Sequence, residues 1–244
     1  MKFLNLLLCG LFILNLSSCV EGKNDNSFKV IPVQHATMVI EWNGKVIYVD
    51  PVGGAVSFQK YKRPDIILVT DIHGDHFNLE TLEGLYTEKV TIVVPQAVAD
   101  KMPETLASQI EVLKNNQVKD LQGLTIEGIP MYNLREEALK FHTKGRGNGY
   151  VLEMQGERVY ISGDTEDIPE MRSLKNIDRA FVCMNLPYTM PVENAADAVL
   201  AFQPKIVYPY HYRGTDGFSD IEKFKSVVNQ KNENIDVTVL NWYW

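Results

Sequence analysis

Thr70-Asp71-Ile72-His73-Gly74-Asp75-His76 is the stretch on which the reading of this chain turns. It directly follows the apolar run Ile66-Ile67-Leu68-Val69, so four side chains able to bind a metal are packed just where a strand gives way to a loop. The chain has five histidines, and two of them are here. Imidazole and carboxylate together suit zinc, manganese or iron. A solvated polar turn would use similar residues, but ligand-type residues recur past other strand-like runs. His142 precedes Gly145-Arg146-Gly147-Asn148-Gly149 and the strand starting at Tyr150. Asp164 follows Ile161-Ser162-Gly163, and His211 follows Ile206-Val207-Tyr208-Pro209-Tyr210. Repeated placement of such groups at sheet edges is what a loop-built site on a rigid scaffold requires.

Strand and helix signals alternate along the rest of the chain. Thr37 to Trp42 and Lys45 to Val49 flank Asn43-Gly44, the strongest short-range hairpin signal present. Asp50-Pro51-Val52-Gly53-Gly54 then closes the second strand in a glycine-rich turn. Ile66 to Val69 and Val90 to Val94 read as short apolar strands, with a short helix over Leu79 to Tyr86 between them. Gln96 to Lys101 and Leu106 to Asn115 read as helices interrupted by Pro103. Val118 to Ile129 supplies one or two strands. Gly149 to Met154 and Arg158 to Ser162 form a second hairpin around Gln155-Gly156-Glu157. Ile168 to Leu174, Val192 to Ala201 and Ser219 to Val228 are expected helices; Phe181 to Met184, Ile206 to Tyr208 and Ile235 to Leu240 are expected strands. Two hairpin openings, each followed by strand–helix units, predict two related sheet layers covered by helices in one domain over residues 28–244.

With these motifs in view, the chain resembles the metallo-beta-lactamase fold superfamily, and within it the small metal-dependent hydrolases that include ascorbate-6-phosphate lactonase. The usual first motif there is His-x-His-x-Asp-His. Asp71 stands in the place of the first histidine, while His73, Asp75 and His76 match the remaining positions. His142, Gly163-Asp164-Thr165, Pro209-Tyr210-His211-Tyr212 and the opening His35-Ala36-Thr37 to Tyr48-Val49-Asp50-Pro51 match further pieces. The resemblance implies an α+β fold, an αββα four-layer sandwich with two mixed sheets covered by helices. It implies two divalent metal ions, zinc or manganese first and iron as the alternative. Asp71, His73 and His142 would hold one; Asp75, His76 and His211 would hold the other; Asp164 would bridge them. Asp75 and Asp164 are the catalytic candidates, Asp75 as a proton carrier at leaving-group departure. At Asp71 a carboxylate ligand and a purely hydrogen-bonding residue both stay open. His35, Arg146 and Tyr188 are the substrate-contact candidates, each with a structural alternative: an ordinary hydrogen bond, an unusual glycine-flanked turn, and a surface aromatic.

The N-terminus reads differently. Lys2 followed by a nearly unbroken apolar run from Phe3 to Leu16 is an export signal, too short for a stable membrane span. Leu16-Ser17-Ser18-Cys19 resembles a bacterial lipobox, making Cys19 the expected lipid attachment point, and Val20 to Ser27 reads as a polar tether. The expectation is therefore an exported lipoprotein on the periplasmic or cell-surface side of a membrane. The mature domain keeps only Cys183, in an apolar run, so no disulfide framework is available to it.

A net charge of −7 and no basic stripe give no support to a nucleic-acid surface. The leading function is metal-dependent hydrolysis of a small ester, lactone, amide or phosphoester. A phosphodiesterase or nuclease, a redox centre, and a lipid-anchored binding protein without catalysis are the alternatives. The sequence leaves homo-oligomerisation open.

Overall fold

The computed structural model of the protein describes residues 27–85 and 89–243. The expected export signal with Cys19 and residues 20–26 of the expected tether lie outside the described residues, as do 86–88 and Trp244. Among the described residues no helix is long and apolar enough to cross a membrane.

Six strands form the first sheet in chain order: β1 Phe28–Gln34, β2 Thr37–Trp42, β3 Lys45–Val49, β4 Ile66–Leu68, β5 Thr91–Val94 and β6 Ile110–Val112. β1 to β3 are antiparallel neighbours and β3 to β6 are parallel. The β2–β3 hairpin turns on Asn43 and Gly44, whose φ angles of 47° and 82° are the pair that a two-residue hairpin turn demands. The second sheet contains β7 Val118–Leu121, β8 Leu124–Met131, β9 Gly147–Met154, β10 Glu157–Ile161, β11 Arg179–Cys183 and β12 Ile206–Tyr210. The small ribbon β13 Arg213–Gly214 and β14 Gly217–Phe218 follows, and β15 Asp236–Val237 closes the second sheet beside β12. β7 to β10 are antiparallel; β10, β11, β12 and β15 are parallel.

The alternation of side chains along each strand builds the layers. Met38, Ile40 and Trp42 of β2, with Ile66 and Leu68 of β4, face the second sheet and join a core containing Ile126, Tyr150, Leu152 and Phe181. Val39, Ile67 and Ile92 point the other way, onto Leu82 of α1 Leu79–Leu85 and Val98 of α2 Gln96–Ala99. Three more helices, α3 Pro169–Arg172, α4 Val192–Phe202 and α5 Ile221–Lys231, lend Met171, Val199 and Phe224 to the main core. The result is the expected α+β four-layer arrangement of two mixed sheets flanked by helices.

Several local expectations needed correction. The helix expected over Leu106 to Asn115 is a short 3-10 turn, Glu104–Gln109, running into strand β6. Leu106, Ile110 and Leu113 have helical spacing, but Ile110-Glu111-Val112 also alternates, and pairing with the exposed edge of β5 satisfies its backbone. The strand expected over Ile235 to Leu240 shrinks to β15. Strand β1 has no counterpart among the expected strands. Cys183 is buried, as expected of an apolar strand, and burial pushes its thiol up to about 12.

Candidate metal centre

The site lies where parallel strands end. Asp50 follows β3, the Thr70–His76 loop follows β4, Asp164 follows β10, and His211 follows β12. All these strands point their carboxyl ends to the same rim, where binding loops of parallel sheets collect. Thr70 joins the two sheets there: its carbonyl accepts from Asn148 N–H at 2.9 Å. Gly163 lets the chain turn into Asp164, with φ at 60° and a position where an added Cβ would stand 2.6 Å from Met131 Sδ. His35, Asp50 and His211 are non-glycine residues at φ of 50°, 46° and 47°, so three residues near the rim adopt a backbone that most side chains avoid.

His76, Asp164 and His211 form one buried cluster. His76 Nδ1 lies 2.8 Å from Asp50 Oδ2, and Asp50 also accepts from the Thr70 N–H and hydroxyl, each at 2.7 Å. That arrangement places the imidazole proton on Nδ1 and leaves a lone pair on Nε2. His76 Nε2 stands 3.1 Å from His211 Nε2 and 3.3 Å from Asp164 Oδ2, while Asp164 Oδ1 is 3.1 Å from His211 Nε2. Burial opposes charge on every member. On His76 the carboxylates of Asp164 and Asp50 overcome burial and raise the pKa well above its ordinary value. On Asp164 burial is likewise outweighed, by His211, His76 and His142, and the carboxyl is held well below the usual range. His211 is raised against burial by Asp164 first. Burial raises the Asp50 carboxyl, with His76 pulling the other way.

Asp71, His73 and His142 form a second cluster. His142 Nδ1 faces Asn133 Oδ1 at 3.3 Å and the Tyr188 carbonyl at 3.2 Å, both acceptors, so its proton is on Nδ1 too. Its Nε2 is 3.1 Å from Asp164 Oδ2 and 4.0 Å from Asp71 Oδ2, which leaves Asp164 standing between the clusters. His73 Nδ1 is 2.8 Å from Asp71 Oδ2. Arg146 grips the same carboxylate: Nε donates to Oδ1 at 3.0 Å and Nη2 to Oδ2 at 2.8 Å. Nη2 also donates to the Phe141 carbonyl at 2.6 Å and lies 3.4 Å from His73 Nε2. Arg146 is thus committed to Asp71 rather than held open toward the cavity.

These residues fit divalent ions. The Nε2 atoms of His76, His142 and His211 converge on the Asp164 carboxylate at 3.3, 3.1 and 3.1 Å. Buried imidazole and carboxylate atoms gathered on one point are the donor set that a divalent cation takes. The centre therefore presents two candidate divalent-metal sites, suited to zinc, manganese or iron by their nitrogen and oxygen donors.

Asp75, His35 and His211 make a third close group, but its hydrogen bonding differs. The Tyr243 hydroxyl accepts from the Tyr212 and Arg213 N–H groups at 3.2 and 3.1 Å, so its own proton goes to His35 Nδ1 at 2.8 Å. His35 Nε2 then carries hydrogen and points it at Asp75 Oδ2, 3.4 Å away. His35 is therefore a donor in this group. Asp75 is 41% exposed, and hydrogen bonds from His211 and His35 outweigh burial to hold it ionised, far below the carboxylate range. A cavity of about 310 Å³ opens over the centre, lined by His73, Asp75, Phe141, His142, Asp164, Asn185 and Tyr188. Tyr188 packs edge-on against Phe141 with centroids 5.0 Å apart. A second cavity of about 530 Å³ lies on the other side of Asp75, beside His35, Arg213 and Tyr243.

The roles of Asp50 and Tyr243 were missed in the sequence. In the sequence Asp50 shows only as the end of a hairpin strand, and Tyr243 carries no motif; it follows Trp242, which is fully buried.

Comparison with known proteins agrees with the geometry. The Beta-lactamase superfamily domain matches residues 29–211. A UPF0173 metal-dependent hydrolase of Staphylococcus carnosus is 32% identical over 222 residues, covering 80% of this chain and 90% of that protein. A solved Parabacteroides distasonis structure assigned to the metal-dependent hydrolases is 36% identical with a TM-score of 0.77, covering 87% of this chain and 92% of that one. Igni18, a metallo hydrolase of Ignicoccus hospitalis, shares the fold at 22% identity and a TM-score of 0.73, with coverage of 88% and 95%. With its paired His/Asp clusters, the protein is a metal-dependent hydrolase of a small substrate, and the chain belongs to the beta-lactamase superfamily, among its UPF0173 metal-dependent hydrolases.

Proposed function

We propose that the protein hydrolyses a small lactone or ester and works as an exported lipoprotein tethered through Cys19. The observation that carries the first part is the buried Nε2 and carboxylate array opening directly into a cavity of about 310 Å³. That volume suits a small molecule rather than a polymer. The resemblance to the branch containing ascorbate-6-phosphate lactonase puts lactones and esters ahead of the other substrate classes.

Under this reading, His76, Asp164 and His211 would hold one ion and Asp71, His73 and His142 the other. Bound divalent ions supply Lewis acidity and lower the pKa of water to near neutrality. The chain's own residues do the rest. Asp50 fixes the His76 ring through Nδ1, and Asn133 with the Tyr188 carbonyl fixes His142. Asp75, ionised and half-exposed on the cavity floor, is placed to take a proton from water and return it to the leaving oxygen. Asn185 Oδ1 accepts from Thr189, so its amide N–H groups are the donors left for a substrate oxygen. Phe141 and Tyr188 wall the cavity against bulk water.

Lactones, aryl esters and phosphodiesters should be screened on protein loaded with Zn²⁺ or Mn²⁺, beside chelated protein and Asp164→Asn. Lactone or ester turnover that disappears in both controls is expected. Turnover that survives chelation and Asp164→Asn would exclude this centre as the catalyst. The anchoring reading rests on Leu16-Ser17-Ser18-Cys19 after the apolar run. Membrane-fraction protein whose acylation is lost in Cys19→Ala is expected; acylation that persists in the variant would defeat it.

A further inference from the structure

We propose that Arg146 is a built-in competitor for cation at the Asp71–His73–His142 cluster, so that the two clusters fill unequally. One ion binds tightly at His76–Asp164–His211, and a second enters only by displacing the guanidinium. This rests on the reading of both clusters as metal sites.

The contacts come first. Both oxygens of Asp71 accept from Arg146, at 3.0 and 2.8 Å, and a third contact pins Nη2 to the Phe141 carbonyl. His73 Nε2, the lone pair that would face an ion, has Nη2 at 3.4 Å instead. A guanidinium stays protonated at any workable pH, so its positive charge is permanent. Two parallel bonds to one carboxylate are the strong form of this pairing.

Charge separates the clusters in the same direction. At the Asp71 cluster the carboxylate is already paired with the permanently charged guanidinium of Arg146. At the His76 cluster, Asp164 has no Lys or Arg partner among the described contacts, and Asp75 adds another carboxylate nearby. A divalent cation therefore meets a carboxylate with no permanent cation on it at one cluster and an arginine-paired carboxylate at the other.

The backbone keeps Arg146 in place. It rises from a loop between Gly145, at φ 86°, and Gly147, where an added Cβ would stand 2.8 Å from the Thr70 carbonyl and 2.5 Å from Met131 Cε. Gly147 is thus pressed against the same strand end that carries Asp71, and the arm between them is short. An arginine kept for a substrate anion would hold its paired donors toward the cavity; here that fork is spent on Asp71.

The test is Mn²⁺ binding to the metal-stripped full chain, followed by calorimetry and by electron paramagnetic resonance. Wild type is expected to bind one equivalent tightly with an uncoupled mononuclear spectrum, and a second far more weakly. Arg146→Met should strengthen the weaker site by about tenfold or more, the scale of one charge-assisted hydrogen bond, and leave the tight site unchanged. It should also bring on a spin-coupled spectrum at two equivalents. Because Arg146→Met leaves Asp71 buried without its partner, Asp71→His serves as the second variant; it removes the bidentate acceptor and is expected to show the same convergence of affinities. Circular dichroism reports folding of each. Two ions of equal affinity in wild type, or a weak site unchanged in the folded variants, would overturn the proposal. No Mn²⁺ bound by any form would overturn both this and the proposed function. Unequal binding without hydrolysis would count against the proposed function alone.

Discussion

Asp50 is fully buried, yet it determines which nitrogen of His76 faces the centre. Its carboxylate accepts from His76 Nδ1 and is itself held by two bonds from Thr70. Asp50→Asn should therefore weaken ion binding at the His76 cluster by about 10- to 100-fold, the usual cost of losing a carboxylate behind a ligating histidine. Equilibrium dialysis against Zn²⁺ reads this directly, and unchanged affinity would show that Asp50 does not orient the ring. Tyr243 acts similarly on His35. In Tyr243→Phe the donor to His35 Nδ1 is gone, the proton is free to move from Nε2 to Nδ1, and Asp75 loses a partner. The expected result is a lower kcat with its acidic limb moved upward and the melting temperature little changed. A pH–rate profile superimposable on wild type would remove Tyr243 from the machinery.

At the scale of elements, the site depends on strands that stop in register. β3 and β4 pair in parallel from Ile47 with Ile66 to Val49 with Leu68, bringing Asp50 and Thr70 to the same rim. β11 and β12 do the same from Arg179 with Ile206 to Cys183 with Tyr210. Gly163 is a narrow joint in this scheme. Gly163→Ala puts a methyl 2.6 Å from Met131 Sδ at a positive φ of 60°, so both packing and backbone resist it. Loss of about 1–3 kcal/mol of stability is expected together with weakened metal binding, because Asp164 is the next residue. Denaturant unfolding with a metal-content assay checks both; a variant with wild-type midpoint and full metal would mean the joint relaxes freely. Elements also mark the limit of local reading. The β2–β3 hairpin was legible because Asn43-Gly44 has its own turn chemistry. β6 was not, since a three-residue edge strand is stabilised by its neighbour β5 rather than by its own sequence.

For the whole molecule, the centre is a concentration of opposed charge inside the fold. His76 and His211 have raised pKa values, carboxylates outweighing burial in each. In the metal-free protein that stabilisation is complete below about pH 6.5 and disappears as pH rises through the raised values. Asp75 and Asp164 are depressed despite burial, so their contribution is present above about pH 4 and is lost as pH falls through the folded values. Metal-free protein should thus melt at progressively lower temperature as pH rises above about 6.5. Metal-loaded protein should show the reverse trend below neutrality, because protons compete for the imidazole lone pairs. Differential scanning calorimetry of both forms distinguishes these slopes, and parallel curves would contradict the assignment of charge. Near neutral pH, chelation should lower the melting temperature of a protein held at about 100 times its metal Kd by about 5–10 °C.

The sequence alone determined the alternating sheet–helix plan and the residues of the centre, because strand alternation, the Asn43-Gly44 turn and the Thr70–His76 cluster each express their chemistry locally. It brought His73, His76, His142, Asp164 and His211 under suspicion although they are scattered over much of the chain. Tertiary structure alone decided who faces whom. That Arg146 lies across Asp71, that Asp50 stands behind His76, and that Tyr243 orients His35 across a sequence separation of 208 are consequences of two sheets meeting at one rim. Proton positions on imidazoles and the pairing of buried charges depend on those through-space neighbours, and no local pattern in the chain encodes them.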